Sequence, residues 1–232
     1  MKDSKVIVIM FAVFMLLLMI IGVLFMVRPG VIDDRRAAKE AEIIAMIEAS
    51  GGGVEIPDMQ LPEVQGEEDE PFEGYEPGFE QDIGSIPGYE SAEGTEERKP
   101  VGRGTISIPA IDLKMAVMEG ADRRSLRGGA GWLPSSAEMG APGNCVIFGH
   151  RMKKYGRHFN RLDELKEGDE ITLSAGDGKV YKYTVTGKEI IEPEELFNVL
   201  SAHNEGYALT LVTCTPVGEG THRLLVYAAI QL

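Results

Sequence analysis

The chain has 232 residues, enough for one ordinary domain with accessory segments, and its formal net charge of −14 is concentrated in one stretch. Residues 48–99 carry a net −14, against +1 for residues 1–47 and −1 for residues 100–232. The C-terminal part is therefore nearly neutral and lacks the basic face that a nucleic-acid partner calls for, and two cysteines in separate strand-like runs, Cys145 and Cys214, do not make a disulfide framework.

Residues 1–5 are a short polar N-terminus. Val6 to Val27 is a run of 22 residues without a charge, long enough to cross the hydrocarbon core as a helix. A cleaved signal peptide has a shorter apolar core and a small-x-small site, which Leu24-Phe-Met-Val27 does not offer, so residues 6–27 read as an uncleaved transmembrane signal anchor. Lys2, Lys5 and the amino terminus compete with Arg28, Arg35, Arg36 and Lys39 on the far side, and charge alone leaves the orientation open.

Residues 28–50 form a juxtamembrane segment with Ile43, Ile44, Met46 and Ile47 among charges and alanines. Asp33 or Asp34 serves as N-cap and Gly51-Gly-Gly as a stop, which predicts a helical stalk lying along the membrane or along the domain. Residues 51–100 are rich in Glu, Gly and Pro without a sustained period. That is the composition of a solvated linker that cannot bury enough surface to fold alone.

From residue 101 to 232 the pattern is mainly of strands. Gly104 to Pro109, Leu113 to Met118, Gly143 to Phe148, Glu170 to Leu173, Val180 to Thr186, Leu209 to Thr213 and Leu224 to Ile230 are apolar or alternating runs, with Gly or Pro between most of them. Phe159, Leu162 and Leu165 mark a short helix, and Pro193 opens another over residues 194–200. About eight short strands with two small helices predict a mainly β fold, a closed or nearly closed barrel that protects its strand edges.

Two runs carry chemistry. Tyr207-Ala-Leu-Thr-Leu-Val-Thr-Cys214-Thr-Pro is an alternating strand that delivers a cysteine at its end. A loop broken by Gly218 and Gly220 then leads to a second strand opening on Arg223. Asn144-Cys-Val-Ile-Phe-Gly-His150-Arg is an apolar strand delivering a histidine. Nucleophile, proton carrier and planar cation are the three types that covalent acyl transfer needs. Each has a plain alternative: a cysteine in the core, a satisfied strand-end histidine with His158, His203 and His222 as rivals, and a surface arginine pairing with Glu219.

Together these motifs resemble the active site of sortases, the cysteine transpeptidases of Gram-positive cell surfaces, over roughly Gly102 to Leu232. The resemblance implies a sortase β-barrel with Cys214 as nucleophile, His150 as general acid and Arg223 as stabiliser of the substrate carbonyl or oxyanion. It also implies a substrate contact at Thr213. The substrates it implies are surface proteins or pilins bearing a C-terminal Leu-Pro-x-Thr-Gly-like signal. The acceptor would be an amine of a cell-wall precursor or a pilin lysine, and the single-pass anchor at residues 6–27 would leave the catalytic domain outside the cell.

Thr-Cys-Thr-Pro, His-Arg-Leu-Leu-Val and Gly-His-Arg lean toward class C, the pilus-type enzymes, with class D as runner-up. Glu70-Pro71-Phe72 resembles the acidic-Pro-aromatic lid of class C, with Glu where that family has Asp. Leu61-Pro-Glu-Val-Gln-Gly66 partly imitates a sorting signal. No cofactor is implied, and no Cys or His spacing matches a zinc site. The acidic residues Glu192, Glu194 and Glu195 lie where some sortases bind calcium, and read as a solvated face. A hydrolytic cysteine peptidase and a non-catalytic binding protein on the same barrel are the alternatives.

Overall fold

In the computed structural model of the chain the described residues are 10, 11, 13–19, 37–51, 53–57, 61, 86, 99–151 and 158–230. They fall into two compact units, Met1–Lys39 and Glu40–Leu232. In the first, residues 10, 11 and 13–19, within the span expected at residues 6–27, are helical with exposed side chains (α1). Among the described residues no helix is long and apolar enough to cross a membrane. Residues 37–50, within the juxtamembrane segment 28–50, are helical (α2).

The second unit is built on strands β1 (Val54–Glu55), β2 (Val101–Ile108), β3 (Leu113–Glu119), β4 (Ala130–Trp132), β5 (Gly143–Phe148), β6 (Glu170–Ala175), β7 (Val180–Ile191), β8 (Tyr207–Thr215) and β9 (His222–Ala229). Their order is β1-β2-β3-β4-β5-β8-β9-β7-β6, and β2 also pairs with β6. Eight strands thus close into a barrel, with β1 as a two-residue addition to the rim. Closure brings two backbones together at Gly104, where a Cβ would lie 2.4 Å from the Ser174 carbonyl oxygen; only glycine fits there.

Alternation along the strands divides the apolar residues between two faces. The barrel interior holds Ile106, Val117, Cys145, Ile147, Leu173, Tyr183, Leu209, Leu211, Leu224 and Val226. A second cluster, on the outer face of β5, β8 and β9, holds Val146, Phe148, Val212, Cys214 and Leu225 and is covered by Ile191, Leu196 and Leu200. Leu196 and Leu200 come from α4 (Leu196–Ala202), which follows a 3-10 turn at Pro193–Glu195.

A third cluster joins α2 to the barrel through Ile43, Ile47, Ile56, Leu61, Ala116 and Met118. The four apolar residues noted in α2 are therefore a helix stripe packed along the domain, with Ile43 and Ile47 fully buried one turn apart. Lys114 adds an ion pair to Glu48 at 2.8 Å.

The remaining helices are short. Helix α3 (Arg123–Gly128) is capped by Asp122, whose side chain accepts from the backbone N–H groups of Arg124 and Ser125. A 3-10 helix spans Phe159–Glu164.

Candidate active site

Strands β5 and β8 are parallel neighbours with Phe148 beside Val212, and β8 and β9 are antiparallel with Cys214 directly opposite Arg223. The last β5–β8 pair, Phe148 with Val212, is closed by the Gly149 N–H donating to the Val212 carbonyl at 3.0 Å. His150 follows two residues after Phe148, and Cys214 two after Val212. Arginine, cysteine and histidine thus come in a row from β9, β8 and the segment just past the end of β5, which are neighbouring stretches of the sheet.

All three occupy the outer-face phase of their strands, two residues on from Phe148 and Val212 and two before Leu225. Cys214, His150 and Arg223 are 2 %, 3 % and 2 % exposed, so the row is desolvated. A buried guanidinium needs acceptors, and Arg223 Nη1 donates to the Gly220 carbonyl at 2.6 Å and to the His222 carbonyl at 2.8 Å. That burial excludes the surface-cation alternative.

The row is held laterally by side chains on either side of it. Thr213 Oγ1 donates to the Gly149 carbonyl at 2.7 Å, and Arg151 Nη1 donates to Thr215 Oγ1 at 2.7 Å. Arg151 also pairs with Asp163 of the 3-10 helix at 2.8 Å. The residues flanking Cys214 are thus bonded to those flanking His150. Thr213, expected as a substrate contact, is fully buried and spends its hydroxyl on this strand lock.

The rivals are placed elsewhere. Cys145 is in the barrel interior, where burial pushes its thiol far up and Glu138 adds to the effect; it is a core residue. His158 is buried at φ 47° with Nε2 3.9 Å from the Glu40 carboxylate. His203 meets the Val199 carbonyl and stacks on Tyr227 with ring centroids 4.1 Å apart. His222 faces Glu192 at 3.2 Å.

Glu192 and Glu195 form a reciprocal capping box at the start of the 3-10 turn, a local structural use of both carboxylates. Among the described residues no group of three or more His, Cys, Asp or Glu is arranged to hold a metal ion.

Three described apolar residues of the linker are buried, Ile56, Leu61 and Ile86. Ile56 and Leu61 belong to the α2 cluster and Ile86 to the cluster of Cys214. The sequence likeness of Leu61-Pro-Glu-Val-Gln-Gly66 to a sorting signal therefore does not bring Leu61 to the thiol. Glu70, Pro71 and Phe72, the expected lid, lie outside the described residues. Composition hid Ile86, an isolated apolar residue in an acidic stretch; the Arg151–Thr215 lock was hidden because 64 residues separate its partners.

These strand ends bear a thiol, an imidazole and a guanidinium, all buried, and the chain has relatives among known proteins. The Sortase domain model matches residues 106–231, more than half of the sequence, and the chain belongs to the sortase family. It is 32 % identical to Sortase A of Bacillus anthracis over 131 residues, 56 % of this chain and 60 % of that protein.

Among solved structures, sortase A of Listeria monocytogenes aligns with TM-score 0.52 and 30 % identity over 56 % of this chain and 88 % of that one. Sortase C-1 of Actinomyces oris aligns with TM-score 0.50 and 33 % identity over 56 % and 73 %. The chain spans about 60 % of the length of the curated relatives it matches.

Proposed function

We propose that the protein is a membrane-anchored cysteine transpeptidase that cleaves a Leu-Pro-x-Thr-Gly-like sorting signal and passes the acyl group to an amine. The cross-strand row of His150, Cys214 and Arg223 carries this reading. The Cys214 thiolate attacks the threonyl carbonyl carbon, and the oxyanion that forms is stabilised by the Arg223 guanidinium. As the tetrahedral intermediate collapses, the C–N bond breaks and His150 gives its proton to the departing amine. The acceptor amine then attacks the thioester, its proton passes to the His150 imidazole, and the Cys214 thiolate leaves.

The acceptor is a cell-wall cross-bridge or a pilin lysine, and the donors are surface proteins or pilins. The motifs around Cys214 and His150 favour class C, and the likeness to an Actinomyces oris sortase C supports that choice. The span at residues 6–27 anchors the chain with the barrel outside the cell. Residues 51–100 restrain access to Cys214, a role supported by Ile86 packing in its cluster.

Incubation of the full chain with a Leu-Pro-x-Thr-Gly peptide and an amine, read by mass spectrometry, tests the reaction. The expected product is the amine adduct of the shortened peptide. Free acid alone would indicate a hydrolase, and failure of a chloromethyl-ketone peptide to label Cys214 would indicate a non-catalytic protein.

A further inference from the structure

The Arg151 side chain is 6 % exposed and lies next in sequence to the row without belonging to it. Placing a guanidinium there costs desolvation energy that only good partners offset. Its partners are specific. Nη1 donates to Thr215 Oγ1 at 2.7 Å and Nη2 meets Asp163 Oδ1 at 2.8 Å, while among the described residues the buried Nε has no hydrogen-bond partner.

Both partners bear on the row. Thr215 is the residue after Cys214. Asp163 sits in the 3-10 helix whose first residue, Phe159, donates its N–H to the His150 carbonyl at 3.1 Å. Arg151 is thus a strut from the end of β5 to the end of β8, on the opposite side of the row from the Thr213–Gly149 bond. One bond precedes the thiol and imidazole along the strands, the other follows them.

From this bracketing we propose that Arg151 is a positioning residue for the transpeptidation step, setting the reach between Cys214 and His150 through Thr215, with Asp163 fixing its guanidinium. It does not touch substrate. The reasoning rests on the row acting as proposed above. Misalignment of reacting groups by about 1 Å costs on the order of a hundredfold in rate. A strut acting in this way shows in kcat, and in the thiol's own reactivity, more than in KM.

The test uses the full chain and three variants: Thr215→Val, Arg151→Met and the double variant. Expected are a fall of about tenfold or more in kcat with KM nearly unchanged, and slower alkylation of Cys214 by iodoacetamide with an altered pH profile. The double variant should be no worse than the more damaged single, because both remove one link. Alkylation needs no peptide turnover, so it separates failure of this inference from failure of the transpeptidase reading.

Thr215→Val keeps the Arg151–Asp163 pair, so it carries the test if Arg151→Met does not fold. Arg151→Lys should recover little, since an ammonium cannot span both partners as the planar fork does. Unchanged kcat and alkylation in Thr215→Val, or additive losses in the double variant, would overturn the proposal.

Discussion

Inside the barrel Cys145 lies among Ile147, Leu209 and Tyr183, and outside it Cys214 lies opposite Arg223. One residue of phase along a strand decides which thiol can react. At Cys145 burial holds the neutral form, so its pKa is raised relative to the unfolded chain. Burial likewise raises Tyr183, to about 12.

Below the unfolded pKa these groups are protonated in both states and cost nothing. As pH rises past it, the unfolded chain loses protons that the native state keeps, and stability falls. Between pH 7 and pH 10 the loss from Cys145 alone is on the order of 2 kcal/mol. Urea midpoints should therefore drop on that rise, and less so for Cys145→Val.

At the row, Arg223→Lys should lose most of the transpeptidation rate, because a point-charge ammonium cannot keep both carbonyl bonds and still serve the oxyanion. Cys214→Ala and His150→Ala should abolish turnover, whereas His203→Ala, at the C-cap of α4, should retain it in the peptide–amine assay.

At the scale of elements, alternation in the sequence located β2, β3, β5, β6, β8 and β9 because each buries one face against the barrel interior. It stopped β7 at Thr186, yet β7 runs to Ile191 by taking up Thr186 in a bulge between Val185 and Gly187 against β9. Strands β1 and β4 are too short, at two and three residues, to show a period. The strand ends that present the row were legible as motifs. Their side-by-side placement was not, since parallel pairing of β5 and β8 is a long-range choice that leaves no local trace.

The link between β5 and the 3-10 helix is tight at Gly149, where a Cβ would lie 2.5 Å from the buried Phe159 ring. Gly149→Ala should cost about 1–3 kcal/mol through overpacking. It should also slow turnover by displacing His150, measured as a lower melting temperature together with reduced kcat.

Over the whole molecule, the acidic linker is solvated in composition yet pinned on two sides, by Ile56 and Leu61 against α2 and by Ile86 against the outer-face cluster. Ile86→Ser weakens the second pin while leaving the row untouched. Alkylation of Cys214 by a bulky maleimide should become severalfold faster, and deletion of residues 54–99 should accelerate it further. Equal rates in all three proteins would mean that the linker does not restrain access.

Strand β9, the last of the described strands, lies between β7 and β8 rather than at a rim. The barrel therefore shuts only once β9 has left the ribosome, and Arg223 arrives with the strand that shuts it. A chain held short of β9 therefore lacks the cation that stands opposite Cys214.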